Sequence, residues 1–373
     1  MNKSDLKRNG LMLSKRNKKG YDWWWHSFTA VNEKTGKEQP FYIEFYVTNP
    51  GYRSDEPQLS QNSRKKKKPC YVMINVGTWG EHPRQIHNFY SVNELKASRN
   101  RLDISVGNCT LTETHTSGKV TVSKEDAKNK KELMSDFGTM EWDLQIDKKI
   151  AFNVGYGANS FFRWLNCFSM FWHAEGMKTL YEGYIILDGE KYLVSKDKSY
   201  GYADKNWGRD FTSPWVWISS CDIYSETQKK QLNNSAFDIG GGCPIVFGIP
   251  LKNKLLGQFT YEGNDIEFNF SKFWKSSKST FVFSKKNKEC IQLDIVLKNK
   301  KYELICKAKS YKKENLFINY ESPKGEKKHN HLWNTGNAFG TLVLQKINRN
   351  GEKKILDIMT FKHAGCEFGK YDK

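Results

Sequence analysis

Residues 201–221 constrain the fold of this chain more than any other stretch, because they join a cluster of ionisable groups to an aromatic strand. The first half, residues 202–210, is dense in ionisable and hydrogen-bonding side chains around Trp207, and we predict a polar turn there. The second half alternates at a period of two, which predicts a strand with Trp215 and Trp217 on one face. A polar turn that leads into such a strand is typical of a site at the mouth of an apolar cavity.

Strand-like alternation continues along most of the chain. Residues 41–47 place apolar side chains on one face and Glu44, between two tyrosines, on the other. This pattern fits either a solvated sheet surface or a polar spot inside a barrel. Residues 291–297 also alternate, and residues 261–266 and 347–352 have the composition of hairpin turns. Many strands joined by short polar turns, with almost no helical periodicity, predict an all-β chain of antiparallel barrels or sandwiches with few short helices.

The chain carries a strong positive charge. Its 373 residues include 60 Lys and Arg against 41 Asp and Glu, a formal net charge of +19. Such a balance favours association with anionic partners, although lysine-rich strands and loops also serve solubility alone. The basic run from Arg64 to Lys68 is either a solvated loop or a weak contact with an anionic membrane surface. We predict no specific nucleic-acid partner, because the aromatic residues lie in predicted strands apart from this loop.

The sequence indicates neither a metal site nor export. The eight cysteines include no CxxC pair and match no zinc cluster, and His329 and His331 lack supporting Cys or carboxylate ligands. Residues 1–20 lack the apolar core of a secretory signal. The aromatic run at residues 161–177 is interrupted by charged and polar side chains, so it does not fit a membrane span. We therefore expect a soluble, cytoplasmic protein.

The motif Tyr-Ala-Asp-Lys-Asn-Trp-Gly at residues 202–208 resembles the signature of the tocopherol cyclase family, as do the Phe211 and Pro214 that follow it. The segment at residues 184–192 looks like the hairpin that leads into this signature. The Gly-rich turn at residues 240–244 is similar to one in the family. The resemblance covers most of the chain.

The resemblance implies two lipocalin-like antiparallel barrels packed in tandem, with the ligand site in a barrel mouth or at the domain interface. We place a flexible basic leader at residues 1–19, a first domain at residues 20–195, and a second domain at residues 196–373 that carries the signature. Two departures are visible. Asp204 stands where the plant enzymes usually have Glu, and no plastid-targeting leader precedes the motif, so we expect a bacterial member.

Tocopherol cyclases protonate a prenyl double bond and capture the resulting cation with a phenolic oxygen, and related hydratases add water instead. Both reactions need an acid held neutral in a dry pocket, where desolvation raises the pKa of a carboxyl group. They also need aromatic faces that stabilise a cation. The resemblance implies that Asp204 is the acid and that Tyr202 orients it or relays its proton. The alternative is a structural carboxylate paired with Lys205 or Arg209.

His173 is the second catalytic candidate. Its imidazole would share a proton with Asp204 or deprotonate the attacking hydroxyl, and the alternative is a hydrogen-bonded core histidine. Trp207 is either a cation stabiliser or core packing. The candidate substrate-binding side chains are Trp207, Trp215, Trp217, Trp172, His26 and Glu44.

We therefore predict acid-catalysed cyclisation or hydration of a small, hydrophobic, isoprenoid-like ligand, without a metal or any other cofactor. The main alternative is a non-catalytic carrier that uses the same cavity for the same class of ligand. Because one fold hosts many chemistries, the substrate itself stays open.

Overall fold

The computed structural model describes residues 3–13, 19–60, 67–152, 169–243, 245–246, 249–250, 254–270, 272, 276–284, 289–318, 321–325 and 332–369. Residues 64–66 of the basic run, and both His329 and His331, lie outside these ranges. Within them the helices are α1 (Lys3–Asn9), α2 (Lys124–Asn129) and single 3-10 turns at Pro50–Tyr52, Lys131–Leu133 and Lys312–Glu314. No helix in this described part of the chain has the length and hydropathy of a membrane span.

The first sheet is antiparallel and barrel-like. Its strands are β1 (Tyr21–Asn32), β2 (Glu38–Thr48), β3 (Tyr71–Thr78), β4 (Arg84–Tyr90), β5 (Lys96–Ala97), β6 (Asp103–Val106), β7 (Cys109–Thr112), β8 (His115–Val122), β9 (Gly138–Phe152), β10 (Met170–Leu187), β11 (Glu190–Val194) and β12 (Gly201–Gly208). Their order is β4-β3-β2-β1-β11-β10-β9-β8-β7-β6-β5, and β12 pairs with both β1 and β10. Most neighbours in this order are consecutive in the chain, as expected for hairpin-built sheets.

Strands β11 and β12 lie in line between β1 and β10. The ends of β1 and β10 that pair with β11 continue into the segments that pair with β12. Between the two strands, the Ser199 carbonyl accepts a hydrogen bond from the Thr29 amide at 2.7 Å. Residues 201–208 are therefore a strand of the first sheet and not the predicted polar turn. The first sheet also extends past the boundary predicted at residues 195 and 196, and the change of sheet falls between Gly208 and Trp215.

The second sheet is also antiparallel. Its strands are β13 (Trp215–Ser220), β14 (Asp222–Ser225), β15 (Lys230–Gln231), β16 (Ala236–Gly242), β19 (Lys254–Tyr261), β20 (Asn264–Asn269), β21 (Lys278–Ser284), β22 (Cys290–Lys298), β23 (Tyr302–Tyr311), β24 (Leu316–Phe317), β25 (Leu332–Ile347) and β26 (Lys353–Gly369). The main order is β20-β19-β16-β13-β26-β25-β23-β22-β21, and the short strands β17 (Ile245–Val246) and β18 (Ile249–Pro250) form a separate pair. The predicted all-β class, with two large antiparallel sheets that follow one another along the chain, is confirmed.

Three buried clusters follow from the period of two along the strands. On β1, Trp24 and Phe28 pack in the apolar core of the first sheet, whereas Trp23 and Trp25 on the opposite face pack in a layer shared with the second sheet. The strand β13 divides in the same way: Val216 and Ile218 enter the core of the second sheet, and Trp215 and Trp217 enter the shared layer. We call this third cluster the aromatic layer; its largest members are Tyr21, Trp23, Trp25, Tyr42, Tyr46, Tyr71, Trp79, Phe152, Trp172, Tyr202, Phe211, Trp215 and Trp217.

Polar contacts also join the two sheets around the aromatic layer. The Tyr46 hydroxyl on β2 donates to the Glu321 carbonyl at 2.9 Å. At another edge, the His363 imidazole on β26 lies 3.2 Å from a Glu38 carboxylate oxygen on β2 and 2.6 Å from an Asp222 oxygen on β14. These bonds fix how the two sheets face one another, and so fix which side chains meet in the layer between them.

Candidate functional site

Strand β12 supplies the centre of the site because both of its faces are buried. Tyr202 and Asp204 face the aromatic layer, and the Tyr202 hydroxyl reaches a carboxyl group of the second sheet. Lys205 and Trp207, one residue out of phase, face the other side. The predicted acid therefore lies between the two sheets.

Asp204 is a buried carboxyl group with a raised pKa. Its Oδ2 atom accepts hydrogen bonds from Trp172 Nε1 at 2.9 Å and from the Tyr202 hydroxyl at 3.2 Å. Its Oδ1 atom has no hydrogen-bond partner among the residues that the structure describes. Burial raises the pKa of Asp204 to about 8 and the nearby Glu367 adds to this rise, whereas contacts with Trp172, Tyr202 and Trp23 only partly offset it. The group is thus largely neutral at neutral pH, with one oxygen facing the layer.

Asp238 on β16 is a second carboxyl group of the same kind. Its Oδ1 accepts a hydrogen bond from Trp217 Nε1 at 2.9 Å, and its Oδ2 lies 3.1 Å from the Tyr202 hydroxyl. Burial raises the pKa of Asp238 well above its ordinary value, and the neighbouring Asp204 raises it further. Two aspartates from different sheets therefore meet at one tyrosine hydroxyl.

Two glutamates complete a group of four buried carboxyls. Glu367 on β26 accepts hydrogen bonds from Trp215 Nε1 at 2.9 Å and from the Asn334 amide, and burial raises its pKa to about 7. Glu44 on β2 accepts a bond from Asn75 Nδ2 at 2.8 Å, and burial raises its pKa to about 8. Of the two predicted environments of Glu44, the buried polar spot is the one observed.

Neutral donors satisfy these carboxyl groups. An indole nitrogen donates one hydrogen bond and brings no charge, so it satisfies an oxygen without forming an ion pair. Trp172, Trp217 and Trp215 each donate such a bond, to Asp204, Asp238 and Glu367 respectively. An arginine or lysine in the same place would lower the carboxyl pKa strongly. The site therefore holds acids in a form that still carries a proton.

Aromatic faces surround the acids. Trp25 on β1 lies in register with Asp204 on β12 and with Glu44 on β2, so all three side chains share one face. The Trp25 and Tyr42 rings stack with centroids 4.8 Å apart and planes 8° apart. Ring faces of this kind stabilise a cation by about 0.5–2 kcal/mol each.

The structure separates the predicted site residues into two groups. Those that meet in the aromatic layer are Asp204, Tyr202, Trp172, Trp215, Trp217 and Glu44. Those that lie on the opposite face of the first sheet are His173, His26 and Trp207.

His173 is not placed beside Asp204. It pairs across β10 and β12 with Lys205, so its side chain lies on the face that Asp204 does not share. Its two ring nitrogens have no hydrogen-bond partner in the described part of the chain, and burial lowers its pKa to about 3. On the same side, His26 Nδ1 lies 2.8 Å from the Tyr181 hydroxyl, and Trp207 stacks on Phe171 with centroids 5.6 Å apart.

Lys205 forms its ion pair away from Asp204. Its ammonium group binds the buried Asp22 carboxylate and lies 3.7 Å from the ring centroid of Trp24. Burial lowers the pKa of Lys205 to about 8, although Asp22 opposes this shift. The alternative in which Lys205 pairs with Asp204 is therefore not the arrangement observed.

With this geometry in place, comparison with known proteins identifies the family. The family model described as tocopherol cyclase-like matches residues 68–370. The chain belongs to the tocopherol cyclase-like family. No curated protein matches it.

The solved structures to which this tocopherol cyclase-like chain is similar include the following three. One is described as AttH from Nitrosomonas europaea, with 11% identity, a TM-score of 0.45 and 93% of each chain covered. A second is kievitone hydratase from Nectria haematococca, with 12% identity, a TM-score of 0.49, and 99% of this chain and 93% of that chain covered. A third is CghA with Sch210972, with 8% identity, a TM-score of 0.48, and 97% and 92% covered.

Sequence reasoning missed Asp238 and Glu367. Each is the one carboxylate within a short run of apolar and glycine residues, at 236–243 and 364–369. Such a charge in a strand that is otherwise apolar on both faces signals a buried carboxyl group. Among the described residues of this tocopherol cyclase-like chain, no group of three His, Cys, Asp or Glu is placed to hold a metal ion.

Proposed function

We propose that this chain is an enzyme that protonates a carbon–carbon double bond of a prenylated, apolar substrate, and that Asp204 supplies the proton. The observation that carries the proposal is the state of Asp204: a buried carboxyl group with a pKa of about 8 and an Oδ1 atom without a partner among the described residues, set in an aromatic layer. Membership of the tocopherol cyclase-like family supports the same class of chemistry.

The reaction balances without an external oxidant or reductant. The proton leaves Asp204 Oδ1 and bonds to one alkene carbon through the π electrons, which leaves a cation on the more substituted carbon. A phenolic oxygen of the substrate, or a water molecule, then forms a carbon–oxygen bond with that cation. The oxygen releases a proton to a carboxylate of the site, so the net result is ring closure or hydration.

The surroundings of Asp204 favour the charge separation in this reaction. The aspartate that has lost its proton keeps the hydrogen bonds from Trp172 and Tyr202, which stabilise its negative charge. The cation forms against the faces of rings such as Trp25 and Tyr42. Donors that are already in place do not need to reorganise during the reaction, and this preorganisation is a major source of rate enhancement.

The test compares Asp204→Asn with the unchanged chain and with Asp294→Asn. Asp294 is a partly exposed carboxyl group on β22 that accepts a hydrogen bond from Gln292. Asp294→Asn therefore makes the same chemical change in the second sheet, away from the site, and serves as the control. The probe is a geranyl-substituted hydroquinone in D2O, and the expected product is a chromanol or an alcohol with one deuterium on carbon. Asp204→Asn should lower turnover by about 10²–10⁴-fold, the usual contribution of a positioned acid.

Binding of the same probe separates an enzyme from a carrier. Because the asparagine amide keeps the shape of the carboxyl group, the affinity for the probe should change by less than about tenfold. A carrier would bind the probe without forming product in any variant. Full turnover by Asp204→Asn would show that another group is the acid.

A further inference from the structure

We propose that Asp238 is a second acid of the site, which returns a proton to Asp204 through the Tyr202 hydroxyl. The inference deepens the proposed function and rests on it, because a relay has a purpose only if Asp204 gives its proton away. It assigns a catalytic task to a residue of the second sheet, whereas Asp204 and Tyr202 belong to the first.

Hydrogen-bond accounting at Tyr202 carries the proposal. The hydroxyl lies 3.2 Å from Asp204 Oδ2 and 3.1 Å from Asp238 Oδ2, but a phenol has one proton to donate. If both aspartates were ionised, one of them would face the oxygen of Tyr202 without a proton between them. One carboxyl group must therefore be the donor in its contact with Tyr202.

The two indole bonds favour Asp238 as the carboxyl group that donates to Tyr202. Asp204 Oδ2 already accepts a bond from Trp172, so it acts as an acceptor toward Tyr202 as well. Asp238 accepts its indole bond at Oδ1, which leaves Oδ2 to carry a proton toward Tyr202. The row of hydrogen bonds then runs in one direction, from Asp238 to Tyr202 to Asp204. Asp204 Oδ1 stays available to the substrate.

The electrostatic surroundings keep both carboxyl groups protonated at rest. The ionisable groups that interact with Asp204 from the neighbouring strands include Glu44 on β2, Glu367 on β26, Tyr21 on β1, Tyr181 on β10 and, from the opposite face of the sheet, Lys205 on β12. Lys205 is engaged with Asp22, and the other four add no positive charge to the layer. Burial raises the pKa of both aspartates, and a charge on Asp204 raises the pKa of Asp238 further.

Glycine lets the two halves of the relay approach each other. Gly240 lies two residues after Asp238 on β16, and a Cβ atom there would come within 3.0 Å of the Trp172 ring. The indole that donates to Asp204 thus packs directly on the strand that carries Asp238. In the same way, a Cβ atom at Gly365 would come within 2.1 Å of the ring of Trp217, the indole that donates to Asp238.

The relay balances protons within one turnover. Asp204 Oδ1 gives its proton to the alkene and becomes a carboxylate. The Tyr202 proton then moves to Asp204 Oδ2, and the Asp238 proton moves to the Tyr202 oxygen, which leaves the negative charge on Asp238. The proton released when oxygen captures the cation neutralises Asp238. Asp204 now carries its proton on Oδ2, so a half-turn of its carboxyl group and a rotation of the Tyr202 hydroxyl return a proton to the substrate side and restore the starting arrangement.

The kinetic test uses Asp238→Asn, which can keep the hydrogen bonds but cannot give up a proton. With the geranyl-substituted hydroquinone as probe, the first turnover should stay within about threefold of the unchanged chain, because Asp204 is still loaded. Steady-state turnover should fall by about 10²-fold, the lower end of what a positioned proton donor contributes. Tyr202→Phe breaks the relay while keeping both carboxyls. It also removes a donor to Asp204, so its first turnover should fall by about tenfold, and its steady-state turnover should fall further. Asp294→Asn serves again as the matched control.

A second measurement needs no substrate. The protonated Asp238 should give a carboxyl C=O stretching band in the infrared spectrum at pH 7, and this band should disappear in Asp238→Asn. In Asp204→Asn the band should titrate at lower pH, because the charge that raises the pKa of Asp238 is gone. An Asp238 that is a carboxylate at pH 7 would give no such band and would have no proton to pass to Tyr202.

The outcomes separate the two proposals. If Asp204→Asn loses turnover while Asp238→Asn keeps its steady-state rate, the relay is wrong and the proposed function stands. If Asp204→Asn keeps full turnover, the proposed function is wrong and the relay is wrong with it. Absence of the Asp238 band from the spectrum of the unchanged chain would also overturn the relay, whatever the kinetics.

Discussion

Asp204 and Lys205 are adjacent in the chain, yet their side chains lie on opposite faces of β12 and belong to two separate buried networks. The sheet between them keeps the ammonium group with Asp22 and away from the acid. An ion pair with Lys205 would hold the pKa of Asp204 low, whereas burial among neutral donors raises it to about 8. Strand geometry alone therefore allows a cation and a protonated acid at consecutive positions.

The first prediction concerns the pH dependence of turnover. Asp204 acts in its neutral form, and its pKa is about 8, so activity should be constant below that value and fall as the pH rises through it. The measurement is kcat/KM between about pH 5 and pH 10. A rate that rises with pH over the same interval would identify the carboxylate as the active form and contradict the assignment of an acid.

The second prediction concerns stability against pH. Because the folded-state pKa of Asp204 is raised, the native state binds a proton that the unfolded state loses at lower pH. This group therefore makes unfolding easier as the pH rises from the unfolded pKa toward about 8. Its contribution to the slope is at most ~1.4 kcal/mol per pH unit.

Asp204→Asn removes this proton from the balance, so the free energy of unfolding should depend less steeply on pH than in the unchanged chain. Urea unfolding at four pH values between 5 and 8 measures the slope. The control Asp294→Asn makes the same chemical change at a partly exposed carboxyl group. Equal slopes for the unchanged chain and Asp204→Asn would mean that Asp204 is ionised in the folded state.

The sequence predicted the architecture better than it predicted β12. Strands such as residues 41–47 alternate between apolar and polar, and their assignment is confirmed. Residues 201–208 carry polar side chains on both faces, which is typical of a turn, but here each face enters a different buried network. Hydrophobic periodicity does not identify a strand that carries polar side chains on both faces. The partners that satisfy its polar groups, such as Asp22 and Asp238, are far away in the chain.

The site residues could be predicted only where the sequence shows which side chains share a face of a strand. Trp215 and Trp217 share a face by their spacing, and both lie in the aromatic layer. His173 is a catalytic candidate because an imidazole can share a proton with Asp204, but its phase on β10 places it with Lys205. That phase follows from the register of β10 against β12, which is regular up to His173 and shifts after it, and a pairing register is not visible in one sequence.

The third prediction tests the separation of the two faces at His173. His173→Asn should change the stability of the chain but leave the pH at which turnover falls unchanged, because the side chain does not share a face with Asp204. The measurement is the pH profile of kcat/KM for the folded variant. A shift of the falling limb would restore His173 as a proton partner of Asp204.

The fourth prediction concerns the buried ion pair. Lys205→Met leaves the Asp22 carboxylate buried without its cation, so the free energy of unfolding should fall by about 3–5 kcal/mol. Changing both residues, with Asp22→Asn added, should recover much of this loss because no unpaired charge remains. Chemical denaturation of both single variants and the double variant measures the coupling. Additive effects of the two changes would show that the pair does not stabilise the fold.

The last prediction compares two tryptophans on opposite faces of the same strand pair. Trp172→Phe removes the indole that donates to Asp204, and this bond lowers the pKa of the acid. The falling limb of the pH profile should therefore move to higher pH. Turnover should drop by about tenfold or more, because the carboxylate formed in the reaction loses one of its donors.

Trp207→Phe is the matched change. Trp207 stacks on Phe171 on the face of the sheet opposite Asp204. Its loss should therefore lower the melting temperature without changing the pH at which turnover falls. Both variants replace a tryptophan by phenylalanine, and they differ in the face of the sheet on which the tryptophan lies. If both variants shift the limb equally, the change acts through the stability of the sheet as a whole. If only Trp172→Phe shifts it, the indole controls the acid through the hydrogen bond to Asp204 Oδ2.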